Sequence, residues 1–195
     1  MQSTKTNYMA LPKNIQIPTK SQFMKFEQGE NLFRILTDIK TGWCIWKDGK
    51  PERQEGDTCH YKIEDADTNK FGKPALNYFW VMGVWNYQTK KVETLEITQK
   101  TIMTPLFALE NNGKWGDLKD YDISITKKGS GNDTEFVVTP NPKENLIDDI
   151  KKAFEDSKID ISKLFNGEYP LTEEENSSFE SKIESEEFNP SDVPF

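Results

Sequence analysis

Trp43, Trp46, Tyr61, Phe71, Tyr78, Trp80, Trp85 and Tyr87 are eight of the nine aromatic residues between positions 43 and 87. Lys40, Lys47, Lys50, Arg53, Lys62, Lys70 and Lys73 interleave with them, Arg34 precedes them, and Lys127 and Lys128 follow. Flat rings stack on unpaired bases at ~1–3 kcal/mol per base, and cations follow the phosphates. This mixture of residue types therefore suits a single-stranded nucleic acid. A folded core makes a competing demand on the same aromatics. Trp43 and Trp46 open a polar stretch, which favours stacking for them; a strand aromatic is divided between the two roles. The same stretch carries Asp48, Glu52, Glu55, Asp57, Glu64, Asp65 and Asp67. Phosphate binding thus requires the fold to segregate the cations.

Catalytic patterns are missing. His60 is the single histidine, no motif pairs it with a serine or cysteine nucleophile, and neither GxxxxGK[ST] nor HExxH occurs. Asp148-Asp149 reads as the solvated face of a helix. No enzyme activity and no cofactor are expected. Cys44, Cys59 and His60 raise the question of zinc, which in a closed site takes four tetrahedral ligands. Their spacing is irregular and a fourth ligand, Asp57 or Asp65, has no motif behind it, so no metal is expected.

Charge is distributed unevenly. Residues 1–143 hold 20 basic and 18 acidic groups, whereas residues 168–195 hold one and nine, accounting for the whole net charge of −8. The acidity belongs to a tail, as in interaction segments. That tail ends in Asp192, Val193, Pro194 and Phe195. A terminal carboxylate beside a phenylalanine can enter a basic-rimmed apolar pocket of a partner, and Pro194 lowers the ordering cost. The nine carboxylates can also imitate phosphates in an empty cationic groove. No run of eighteen apolar residues occurs, the N-terminus lacks a secretory pattern, and two cysteines make no disulfide framework. The expected compartment is the cytoplasm, with no membrane partner.

The elements that must position these groups follow from periodicity. Residues 1–24, with Pro12 and Pro18, read as an arm. Residues 30–37 alternate as a strand, 42–46 form a shorter β-rich run, and 47–76 form a polar insertion. Residues 77–87 are the strongest strand and 92–98 return antiparallel to it. Residues 101–111 predict a short helix, capped at Thr104 with Pro105 at its first position. Strands follow at 121–127 and 134–139, joined by a loop at 128–133. Asn141 and Pro142 predict the start of a C-terminal helix whose apolar face is Leu146, Ile147, Ile150 and Phe154. A further turn covers 160–165. The domain reading is an arm at 1–24, a binding domain at 25–140, a helical segment at 141–166 and a disordered acidic tail at 167–195. Five strands with a helix after the third predict a mainly β, five-stranded OB-fold barrel with a long insertion after its first strand.

The tip SDVPF resembles the acidic, Pro-Phe-terminated ends of bacterial single-stranded DNA-binding proteins. Residues 30–139, with ENLFRIL, GWCIW, FWVMGVWNY and LEITQKTI, are similar to OB-fold single-stranded DNA-binding proteins of bacteriophages. The resemblance implies coating of single strands without sequence preference in viral replication, recombination and repair inside the infected host cell. It also implies recruitment of replication or recombination proteins through Asp192, Val193, Pro194 and Phe195. Where the cellular tip has two acids and isoleucine, this one has Asp192-Val193. Two other readings stay open, an acidic DNA mimic that inhibits a DNA-binding enzyme and an OB adaptor that binds only protein.

Overall fold

The computed structural model describes residues 22–171. The expected arm up to residue 21 and the acidic tail from 172, including its tip, lie outside them. The fold is mainly β: seven antiparallel strands and two α-helices. The strands are β1 (Gly29–Ile35), β2 (Lys40–Lys47), β3 (Lys50–Glu55), β4 (Leu76–Asn86), β5 (Lys91–Ile97), β6 (Tyr121–Lys128) and β7 (Glu135–Lys143). Helix α1 (Lys100–Glu110) follows β5, and α2 (Asp148–Ser157) follows β7. The sheet runs β3-β2-β4-β1-β6-β7 with β5 on the other edge of β4, and it does not close into a barrel. Seven strands replace the expected five because the first reads as two segments and the insertion supplies one of its own.

β4 organises the rest. β1 and β2 lie end to end along one of its edges, β1 against Val84–Asn86 and β2 against Leu76–Val81. Between them the chain bulges, with the Leu36 N–H donating to Gly83 C=O at 2.9 Å and the Gly83 N–H to Thr37 Oγ1 at 2.8 Å. Successive β4 side chains enter different clusters. Met82 and Val84 join Phe33, Ile35, Leu95, Ile97, Ile123 and Ile125 in the main core. Phe79 and Val81 meet Ile161 and Leu164 on the opposite face, where Trp85 meets Ile150 and Ala153 of α2. Burial on both sides explains the unbroken apolar run of this strand.

The free edge of β5 is met by the start of the described chain. Met24 N–H donates to Thr94 C=O and Thr94 N–H to Gln22 C=O, both at 2.9 Å, in a parallel bridge. Phe26 then packs on Phe33 and on Phe136 of β7, with centroids 6.5 and 5.8 Å apart. Asn31, fully buried, fixes this entry by donating to the carbonyls of Glu27, Gly29 and Ile125.

Two helix starts differ from expectation. α1 begins at Lys100 and holds Pro105 inside it. Ile102, Met103 and Leu106 all reach the core, and their burial draws in the turn before the proline despite the lost N–H. Asn141 and Pro142 belong to β7, and α2 begins only at Asp148. Since β7 is the last strand of the order, its prolines give up no ladder bond on their outer edge.

A 3-10 helix at Ile161–Asn166 ends the fold, closed by Gly167 at φ 79°. It lies over β2 and β4, where Phe165 stacks on Phe79 at 5.8 Å and 24°. Pro170 and Leu171 are buried too, and the Asp160 N–H donates to Pro170 C=O. Among the described residues, the hydrogen bonds of residues 159–171 stay within the C-terminal segment itself. This strap is therefore attached to the sheet by side-chain contact. It needs Gly42, where a Cβ would meet the Gln54 carbonyl oxygen and come within 2.8 Å of Phe165. Gly42→Ala should lower stability by about 1–3 kcal/mol in urea unfolding, with the loss concentrated in protection of residues 159–171 from amide exchange.

Candidate nucleic-acid interface

The insertion forms a finger of two turns. Asp48 and Gly49 both have positive φ, 52° and 75°, the geometry of a tight hairpin that Asp-Gly favours, and they join β2 to β3. The Asp67 carboxylate accepts the N–H groups of Asp48 and Gly49 at 3.2 and 2.9 Å. Asp67 N–H in turn donates to Trp46 C=O at 2.7 Å, and Ala75 N–H to Asp67 C=O at 2.8 Å. Residues 67–75 are thus clamped beside the hairpin turn. Within them the Asn69 side chain accepts from Phe71 N–H and Lys73 N–H, an Asx turn completed by Gly72 at φ 72°.

The two turns, joined through Asp67, carry Lys47 and Lys50 on one and Lys70, Phe71 and Lys73 on the other. All five are exposed, and Trp46 at the base of the hairpin is 44% exposed. Lys70 Nζ stands 4.9 Å from the centroid of Phe71. Among the described residues, none of these four lysines has a carboxylate partner. Within the turns the acids are Asp48 and Asp67, and the Asp67 carboxylate is turned to the N–H groups of Asp48 and Gly49. Here the fold separates cations from acids that the linear sequence intermixes. Lys62 is exposed in the same insertion, ahead of a 3-10 turn at Ile63–Asp65 that carries the acids Glu64 and Asp65.

The other sequence-nominated aromatics are engaged elsewhere. Trp43 and Tyr78 face each other at 5.4 Å. Their polar ends converge on Asp57, Trp43 Nε1 donating to its C=O at 2.9 Å and the Tyr78 hydroxyl to Oδ1 at 2.7 Å. Thr41 Oγ1 donates to the same oxygen. The Tyr78 hydroxyl first, then Thr41, holds the Asp57 carboxyl below its ordinary range. This pair fastens the insertion to the sheet. Tyr61 is half-buried, and burial raises its hydroxyl pKa. Trp80 lines a cavity beneath the sheet. Trp85 is buried under α2. Tyr87 is half-buried beside it, its pKa raised by burial and then by a hydrogen bond to Asp122.

Several cations are engaged as well. Arg34 is buried; Nε donates to Lys119 C=O at 2.9 Å, Nη1 to Asp122 at 3.0 Å and Nη2 to Glu144 C=O at 2.6 Å. Arg53 donates from Nε and Nη2 to Glu96 and lies 5.9 Å from the Phe79 centroid. Lys40 pairs with Glu55 at 2.7 Å and lies 6.0 Å from the Phe165 centroid. Lys127 Nζ donates to Phe26 C=O; Lys128 is exposed. The register sets Lys127 opposite Gly29, at the start of β1, whereas the finger grows from the end of β2. The structure does not bring these two lysines to the finger.

Cys44 is buried against Phe79 and Val81, and desolvation pushes its thiol up to about 11. Cys59 Sγ donates to Tyr61 C=O at 3.7 Å, and His60 N–H to Gln54 Oε1. Among the described residues no three His, Cys, Asp or Glu side chains converge as a metal site. Sequence reasoning missed Asp57, Asp67 and Asn69, the residues that hold the finger. The Asp48-Gly49 pair was the signal for a hairpin there.

Arg34 and Asp122 give a direct check on roles. Arg34→Ala takes the guanidinium away from two carbonyls and leaves Asp122 with the Tyr87 hydroxyl alone. It should cost about 3–5 kcal/mol of stability in urea unfolding. Comparison with family models, with curated proteins and with solved structures returns no match.

Proposed function

We propose that this chain binds single-stranded DNA without sequence preference. The observation that carries the reading is the finger, where exposed Trp46 and Phe71 lie among four lysines that no described carboxylate neutralises. Stacking on the two rings and phosphate pairing by Lys47, Lys50, Lys70 and Lys73 is the chemistry such a surface offers. The strand order supports an OB-type reading. With β1 and β2 taken as one strand bent at the bulge and β3 assigned to the insertion, five strands remain, with α1 after the third. The OB-fold is itself a partly open barrel. The finger then stands in the connection between the first two strands, one of the connections that bind oligonucleotides in that fold.

On this reading the acidic tail, ending in Asp192, Val193, Pro194 and Phe195, recruits replication or recombination proteins and shields the finger when no strand is bound. The setting is phage DNA replication, recombination and repair in the host cytoplasm. The charge distribution favours this over an acidic DNA mimic, whose carboxylates would cover a folded surface.

The test is a titration with polythymidine and polyuridine at several salt concentrations, read by tryptophan fluorescence. Polythymidine should quench emission, with log affinity falling against log salt by ~0.7 per phosphate contacted. Trp46→Ala and Phe71→Ala should each weaken binding by ~1–3 kcal/mol, and Lys70→Gln with Lys73→Gln should flatten the salt slope. Absence of quenching at low salt would sink the proposal, and an equal response to polyuridine would widen it to RNA. A chain ending at Leu171 should bind as tightly or more tightly; weaker binding would refute the shielding role.

A further inference from the structure

A cavity of about 330 Å3 opens between β1, β4 and α1. Its walls are Ile35, Ile39, Trp80, Leu118 and Phe107, a residue 61% exposed. Its rim is acidic, carrying Asp38, Glu110 and Asp117 with one cation, Lys119. Lys119 Nζ lies 2.6 Å from Asp38 and 3.8 Å from Asp117, so a single ammonium serves both. Among the described residues Glu110 has no cation, its Oε2 accepting the Leu118 N–H at 2.9 Å. Three carboxylates against one ammonium repel a phosphodiester strand. What suits the site is a pair of apolar side chains flanked by ammonium groups.

This chain carries such a segment outside the described residues. Residues 1–21 contain Lys5, Lys13 and Lys20 and no acid, and Tyr8, Met9 and Leu11 lie between the first two lysines. The point where the arm joins the fold is close to the cavity. Gln22 and Met24 bond to Thr94, which pairs with Gly83; Trp80, in the cavity wall, pairs with Ile97. Three residues along the ladder are about 10 Å, and the two strand spacings across β5 add about 10 Å at right angles to it. The nine residues from Lys13 to Gln22 can span about 30 Å, enough for the chain to turn back.

We infer that residues 5–13 dock into this cavity of their own chain. Tyr8, Met9 and Leu11 meet Trp80 and Phe107, and Lys5 and Lys13 meet Glu110 and the Asp38–Asp117 side of the rim. The contact needs no nucleic acid, so its fate is separate from that of the single-strand reading.

Zero-length carbodiimide coupling joins a lysine amine to a carboxylate only in direct contact. Applied to the full-length protein without DNA, as an equal mixture of natural-abundance and 15N-labelled chains, it should link Lys5 or Lys13 to Glu110, Asp117 or Asp38 within one isotope. The Lys40–Glu55 pair, at 2.7 Å, gives an internal control link. Glu110→Gln with Asp117→Asn should reduce the arm links at least tenfold and leave the control unchanged; Phe107→Ala should reduce them too. Links between isotopes would assign the cavity to the arm of a second copy and overturn the inference. So would arm links to other carboxylates alone, a control link without arm links, or arm links that survive Phe107→Ala.

Discussion

Every cluster of this fold is reached from β4. It has strand partners along both edges and apolar packing against both faces, so its eleven residues must satisfy four sets of neighbours at once. Ladder bonds fix its edges, and side-chain alternation divides its faces between the main core and the C-terminal elements. A one-residue slip would put Val81 and Gly83, or Gly83 and Trp85, in the places of Met82 and Val84. The close approach of Thr37 and Ile159 to Gly83 removes the room for such a slip, since a Cβ there would lie 2.9 and 3.0 Å from them.

The finger depends on that register only at its base. Beyond Ile45 and Leu76, β2 and β4 part, and the chain is held by Asp67, Asn69 and the Asp57 anchor rather than by a core. Polar side chains that bond backbone N–H groups build rigid turns where no apolar surface is available. Such turns can hold aromatic rings in the open without letting them collapse inward. That arrangement lowers the ordering entropy a ligand must overcome.

What the sequence disclosed follows from which forces are local. The run at 77–87 and the alternation at 121–127 and 134–139 register burial directly, and the strands lie there. β3 was hidden because KPERQE has no apolar alternation; its pairing comes from the turn before it and from β2. Arg34 alternates with Phe33 and Ile35 as a surface cation would, yet Lys119, Asp122 and Glu144 supply its acceptors from more than eighty residues away. Lysines and aromatics were visible as a mixture, but only the Asp67 clamp joins the turn of Lys47 and Lys50 to that of Lys70 and Lys73. The polar stretch favoured an open position for Trp43 and Trp46 alike, and only the fold shows Trp46 exposed while Trp43 packs on Tyr78 and bonds to Asp57.

The strap over β2 and β4 has a thermal consequence. Ile161, Leu164 and Phe165 attach it through apolar contact, whereas the strands beneath are also joined by backbone bonds. Apolar association near room temperature is driven by the entropy of water and weakens on cooling. The hold of the C-terminal segment on the sheet should accordingly weaken on cooling, without the backbone bonds that join the strands beneath it.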